Sequence, residues 1–188
     1  MAGMSRSLGS YQQYPAEYVP DELRWFQRTV SENDRQLPDA FQGHSFAPIV
    51  SEALRDVLTE FDLGSSQFFE CPLYDIKSVD KLGRTEADRS KKDPRRWFLF
   101  HISETKSALQ SEHCKDLKEK RGRPGKFSVY GNQNPIIALD TQTATNGSKV
   151  RRDPALNAVC FFDDAVKRAI EAKGLRTPAF KFKPCLLV

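Results

Sequence analysis

The stretch Arg96-Trp97-Phe98-Leu99-Phe100-His101-Ile102 constrains this chain more than any other part of it. It is almost wholly apolar and rich in the aromatic and branched side chains that fit a pleated, packed surface. It predicts a central strand, so the remaining segments must supply a sheet around it.

Helices are predicted on either side of that strand in the chain. Ser51 is a good N-cap, because its hydroxyl can accept a bond from an unpaired N–H of the first turn. Glu52 follows, where the helix dipole favours negative charge. Ala53, Leu54, Val57, Leu58 and Phe61 then fall on one helical face, and Gly64 is the expected stop. Gln67 to Tyr74 reads as a strand, ended or bent by Pro72. The pattern returns near the C-terminal end. Ala158 to Phe162 is an apolar strand, and Asp163 caps a helix with Val166, Ala169 and Ile170 on its face. Gly174 is its stop, and Phe180 to Leu187 is the next strand. A constant offset of 112 residues aligns 51–72 with 163–184, pairing Ala53 with Ala165, Leu63 with Leu175, Phe68 with Phe180 and Pro72 with Pro184. The expected fold is therefore α+β: a single domain with a mixed or antiparallel sheet and two strand–helix–strand units related by that offset.

Between these units the signals are shorter. Asp21 to Val30 is compatible with a short strand or turn, and Leu37 to Phe41 with a turn carrying apolar anchors. Lys77 to Asp93 reads as a loop or hairpin, and Ser107 to Lys120 as a charged helix ended by Arg121-Gly122-Arg123-Pro124-Gly125. Phe127 to Tyr130 and Ile136 to Leu139 read as short strands on either side of the turn 131–135. Residues 1–20, with Tyr11, Tyr14 and Tyr18 and two prolines, read as a flexible arm. The domain then spans 21–188, with charged insertions around 77–96 and 115–126.

A chain of 188 residues buries roughly 70% of its unfolded surface and needs no covalent staple. Its longest apolar runs are far below the roughly 20 residues of a membrane helix. The segment from Met1 to Gly9 has no apolar core, so no secretory signal is expected and the expected location is the cytoplasm. Cys71, Cys114, Cys160 and Cys185 are spaced by 43, 46 and 25 residues. That spacing matches no zinc or redox motif, and they read as core thiols.

The net charge of +4 is uneven: residues 81–126 hold fourteen Lys or Arg against seven Asp or Glu, a net of +7 against −3 elsewhere. A run of this kind is first a solvated loop. Its other readings are an acidic partner or nucleic acid. For nucleic acid, Lys91, Lys92, Arg95 and Arg96 beside Trp97 offer phosphate neutralisation and a stacking surface, and Lys118, Lys120, Arg121 and Arg123 extend it. Gly122-Arg123-Pro124-Gly125 resembles a basic minor-groove hook, although a turn after a helix accounts for it equally well.

The search for reactive groups returns little. His113 and Cys114 are neighbours, but adjacent residues on a helix do not face each other, which argues against a thiolate dyad. His101 lies inside the central strand and reads as a hydrogen-bonded core or sheet-face histidine. Asp163 and Asp164 are explained by capping, while Glu70 and Asp75 flank a strand without evident partners for acid–base work. No phosphate loop, zinc-protease motif or nucleophile elbow occurs. The chain therefore reads as a binding protein, with no catalytic, cofactor or metal residues expected.

Pro48-Ile49-Val50-Ser51-Glu52-Ala53-Leu54-Arg55-Asp56-Val57-Leu58, followed by Phe68-Phe69-Glu70-Cys71-Pro72, resembles the first half of a family of bacterial immunity proteins. This is the polymorphic-toxin immunity family numbered eleven, formerly a domain of unknown function. The turn Leu37 to Phe41 and the closing unit from Ala158 to Leu175 are similar to that family too. The likeness covers about residues 21–188, and segment 77–150 departs from it as a long charged insertion. The resemblance implies a stoichiometric antidote that binds a cognate toxin without catalysis. A toxin with an acidic face would meet Lys91, Lys92, Arg95, Arg96, Arg121 and Arg123. The alternative is a nucleic-acid-binding protein using the basic 81–126 segment.

Overall fold

A computed structural model of the chain describes residues 23–25, 37–42, 47–79, 81, 85–129, 135–156 and 159–188. The expected arm 1–20, the turn 131–134, and all of 21–30 other than 23–25 lie outside them. The fold is α+β.

Strand β7 (Trp97–His101) is central, as its composition predicts, and all five of its side chains are buried. It pairs antiparallel with β3 (Pro48–Ser51) on one side and with β4 (Gln67–Glu70) on the other. β2 (Ala40–Gln42) completes the sheet in the order β2-β3-β7-β4. Successive strand side chains point to opposite faces, so β7 feeds two separate cores. Phe98 and Phe100 join Val50, and Phe68 stacks on Phe100 with ring centroids 4.4 Å apart. Trp97 and Leu99 join Ile49, Phe41 and Leu37 on the other face.

Helices α1 (Glu52–Thr59) and α3 (Asp164–Ala172) cover the first face. Each begins at its predicted cap: Ser51 Oγ accepts from Leu54 N at 3.3 Å, and Asp163 Oδ1 accepts from Ala165 N at 2.9 Å. Leu54, Val57 and Leu58 of α1 meet Val166 and Ile170 of α3 in one cluster. Fully burying each such aliphatic side chain contributes about 1.5–3 kcal/mol. Ala53 is exposed instead. At roughly 100° per residue it sits about 90° from the centre of the face formed by Leu54, Val57, Leu58 and Phe61.

The second face is closed by β5 (Leu73–Val79), which contributes Leu73 to that core. β5 pairs parallel with β1 (Leu23–Trp25) and antiparallel with β6 (Thr85–Lys92). The expected single strand from Gln67 to Tyr74 is thus two strands in two sheets, because Pro72 has no N–H for a ladder and the chain turns there. The 77–96 insertion is the β5–β6 hairpin and the turn into β7.

Ser107 to Lys120 is not a helix. It holds a short 3-10 turn at Ser111–His113 and the strand β8 (Leu117–Glu119), which pairs with β9 (Phe127–Val129). The N–H groups that a helix would use internally go to tertiary partners instead. Ala108 N and Leu109 N both donate to Asp153 Oδ2 at 2.8 Å. Gln110 N donates to Ala138 O and Lys115 N to Ile136 O. The second insertion, 115–126, is the β8–β9 hairpin.

β10 (Ala138–Leu139) leads into a short helix α2 (Thr141–Thr145), which the sequence pattern does not announce, with Asp140 accepting from Thr143 N at 2.7 Å. β11 (Val150–Arg152) pairs antiparallel with β12 (Cys160–Phe162). α3 ends at the expected glycine: Gly174 is left-handed with φ 64, where a side chain would be strained. The predicted strand Phe180–Leu187 contracts to β13 (Leu186–Leu187), parallel to β10. Phe180 and Phe182 pack their rings on Phe162 rather than entering a ladder. Gly64 does not stop α1, which ends at Thr59 and is capped by Glu60.

Candidate partner-binding surfaces

The six cations singled out in the sequence fall into three environments. Lys91 and Lys92 end strand β6 and are exposed. β6 is an edge strand of its sheet, and charges there oppose pairing with a stray strand.

Arg95 and Arg96 lie in the turn from β6 to β7, and both are engaged within the molecule. Arg95 grips Asp93 through Nε at 3.1 Å and through its own backbone N at 2.9 Å, and its guanidinium lies 4.6 Å above the Trp97 ring. Burial pushes the Asp93 carboxyl up, but the Arg95 side-chain and backbone bonds outweigh it, leaving the group below the usual carboxylate range. Arg96 forms a fork: Nε and Nη2 donate to the two Glu70 oxygens at 2.9 and 2.5 Å, and Nη1 donates to Glu52 Oε1 at 2.6 Å. The bond from Arg96 holds Glu70 below its ordinary value. The fork joins β4, the start of α1 and β7 across the top of the sheet. It also gives Glu70 a structural role; Asp75 lies in a different sheet.

Arg121 and Arg123 stand at the tip of the β8–β9 hairpin and are exposed. The hairpin root packs on a third core cluster with Leu139, Leu156 and Phe161, whereas the Arg95–Trp97 turn sits over the second. The two groups of cations therefore belong to different parts of the fold.

The remaining candidates for chemistry are in structural positions. Cys114 Sγ donates to Gln110 O and accepts from Ala138 N, both at 3.2 Å, while His113 is exposed. His101 is buried. Asp163 caps α3 and pairs with Lys149 Nζ at 3.0 Å, and Asp164 pairs with Arg168. All four cysteines are free thiols. Cys71 is buried, the other three are half-buried, and burial pushes the Cys160 and Cys185 thiols up. Among the described residues no three His, Cys, Asp or Glu side chains gather in a metal-holding group, and no helix is long and apolar enough to cross a membrane.

Two features escape the sequence reading. The first is a pair of buried charges on β11 and just after it. Arg151 donates to Ser148 O and Ala144 O, and Asp153, only 2% exposed, accepts three backbone N–H bonds. Their signal was the run Arg151-Arg152-Asp153, which reads as surface. The second is an aliphatic ledge. Ile136, Leu186, Leu187 and Val188 are 41%, 49%, 49% and 43% exposed, and all four lie on or beside the β10–β13 pair. No other large hydrophobic among the described residues is as open. The run Leu186-Leu187-Val188, with no polar residue alternating, was the available signal.

Neither a protein-family model nor a curated protein matches the chain.

Proposed function

We propose that this chain is an immunity protein: a stoichiometric antidote, of the family its end units resemble, that binds and neutralises a cognate bacterial protein toxin in the cytoplasm without catalysis. The observation that carries the reading is the ledge of Ile136, Leu186, Leu187 and Val188. Open aliphatic side chains clustered on one strand pair, with Leu186 and Leu187 on its opposite faces, mark a protein–protein contact better than the same residues scattered singly. They supply a desolvated centre around which a polar rim can exclude water. Lys91 and Lys92, exposed on an edge strand, steer an acidic partner and raise its association rate. Arg95 and Arg96 contribute less to that steering, since carboxylates of this chain already engage them. The 112-residue offset between the two capped helices fits a duplicated unit that pairs with itself across the first core, where α1 meets α3.

The test is affinity capture of the tagged protein from its native cell after nuclease treatment, followed by expression of each captured protein alone. The reading predicts one partner in a one-to-one ratio that poisons cells and is silenced by co-expression. Leu186→Asp with Leu187→Asp should abolish both capture and protection while leaving the fold intact. A partner that is harmless alone, or protection undiminished in the double variant, would retire it.

A further inference from the structure

Five cations crowd residues 118–126 of the β8–β9 hairpin: Lys118, Lys120, Arg121, Arg123 and Lys126. The root of this hairpin is held firmly. Leu117, Phe127 and Val129 pack on the third core cluster, Phe127 N donates to Ala155 O at 2.7 Å, and Lys126 Nζ donates to Pro154 O at 2.9 Å. The tip is open. Residues 121–125 are all exposed, and a Cβ added at Gly122 or Gly125 would meet nothing within 4 Å.

Two consecutive turns shape that tip. Arg123 N donates to Lys120 O at 3.0 Å and Lys126 N to Arg123 O at 3.1 Å, with Gly122 and Gly125 left-handed at φ 72 and 68. Both glycines occupy the third position of a type II turn, where the backbone calls for them. Pro124 sets the second position of the second turn. Glu119, the nearest carboxylate along the chain, is turned to the backbone: its Oε1 accepts from Gly125 N at 2.6 Å. Among the described residues neither Arg121 nor Arg123 has a side-chain hydrogen bond or ion pair. The tip is thus stiff, projecting and cationic, in contrast to the Arg95–Arg96 turn.

We propose that this tip is a DNA-binding finger: Arg121 and Arg123 enter the minor groove of duplex DNA at narrow A·T-rich tracts, with Lys120 on a flanking phosphate. The minor groove is about 6 Å wide, which admits extended side chains but not the two-stranded ribbon that carries them. Narrow A·T tracts concentrate negative potential and draw arginine in. Pro124, with its φ fixed by the ring, holds the second turn and so the direction in which Arg123 projects. The double turn is compact, so the Gly-Arg-Pro-Gly run acts as the end of an arm rather than as an extended hook. A protein partner suits the tip less well, because beyond Pro124 it offers no apolar anchor around which an interface could exclude water. The stiffness of the turns lowers the ordering cost of binding. This site is separate from the aliphatic ledge and does not rest on the antidote reading.

Fluorescence anisotropy with short labelled duplexes, one an A-tract and one entirely G·C, over a salt series tests it. The full chain should bind the A-tract more tightly, with affinity falling as salt rises. R121A/R123A should weaken A-tract binding by at least about tenfold and bring the two duplexes to equal affinity. R121Q/R123Q, which keeps side-chain length, should do the same, and both variants should melt at the wild-type temperature. K91A/K92A should change neither duplex's affinity by more than about twofold, since those lysines lie outside the finger. The proposal is overturned by absence of duplex binding at low salt, equal affinity for both duplexes, unchanged affinity in both arginine variants, or polyglutamate binding as tightly as the A-tract.

Discussion

Asp39 and Arg176, 137 positions apart, clasp one another through the backbone: Asp39 N donates to Arg176 O at 2.6 Å, and Arg176 N donates to Asp39 Oδ2 at 2.9 Å. The other carboxylate oxygen, Oδ1, accepts from Ser51 Oγ at 2.8 Å. One side chain therefore ties the cap of α1 to the segment that leaves α3, and the two helices are locked over the first core from one end. Hydrogen bonds to a charged group are each worth about 1.5–3 kcal/mol. Asp39→Ala should cost about 3 kcal/mol in urea unfolding, and Asp39→Asn, which retains one acceptor oxygen, about half of that. Equal stability of Asp39→Asn and wild type would remove the clasp from the account.

Asp153 makes a sharper case, because both of its oxygens only accept. Oδ2 takes Ala108 N and Leu109 N, and Oδ1 takes Ala155 N, all at 2.8 Å. An asparagine would set its NH2 against one of these donors. Asp153→Asn should therefore be nearly as damaging as Asp153→Ala, each losing about 3 kcal/mol or more. Denaturant midpoints that place the asparagine variant close to wild type would contradict this.

Gly64 and Gly122 are both left-handed, with φ 59 and 72, yet their surroundings differ. A Cβ at Gly64 would lie 2.4 Å from Glu104 Oε2, the oxygen that accepts from Ser65 N and Ser65 Oγ, whereas at Gly122 it meets nothing. Gly122→Ala should cost only the backbone strain, about 1 kcal/mol. Gly64→Ala adds displacement of the Glu104 carboxylate and should cost about 2 kcal/mol or more. Thermal melts of the two variants side by side make the comparison, and equal losses would count against the Glu104 contact.

The acid limb of stability should depend on Asp163. The Ala165 N–H, followed by the Lys149 ammonium, holds its carboxyl below the ordinary value despite partial burial. Its folded pKa thus lies below the unfolded one. The stabilisation is complete above about pH 4, the unfolded carboxylate value, and disappears as pH falls through the lowered folded value. Asp163→Asn should lower stability at neutral pH and flatten the decline below about pH 4, read from urea midpoints across pH. An unchanged slope would show that other carboxylates carry the acid limb.

Some elements were legible because their signal is local. The run Trp97 to Phe100 is apolar without interruption and, with His101, forms the central strand. Ser51, Asp163 and Gly174 are capping residues whose side chain or backbone freedom acts within one helical turn. The β8–β9 tip was legible as a turn for the same reason. Ser107 to Lys120 forms no helix because its weak helical pattern loses to partners far along the chain, Asp153 and the segment 136–138, that supply bonds to the same N–H groups. Phe180 and Phe182 look like strand residues in sequence, but ring packing on Phe162 removed them from any ladder.

The candidate surfaces divide in the same way. The amino-acid sequence determines that cations gather in 81–126, that the N-termini of α1 and α3 are capped, and that Trp97 to Phe100 is apolar throughout, since these are properties of neighbours along the chain. Tertiary structure alone decides which cations remain available. Arg96 is engaged because β4 and the start of α1 bring Glu70 and Glu52 to it from 26 and 44 positions away, while Arg121 and Arg123 stand exposed at a hairpin tip, without an ion pair among the described residues. Whether a charge is paired depends on distance in space, and that distance is set only when the sheet order is.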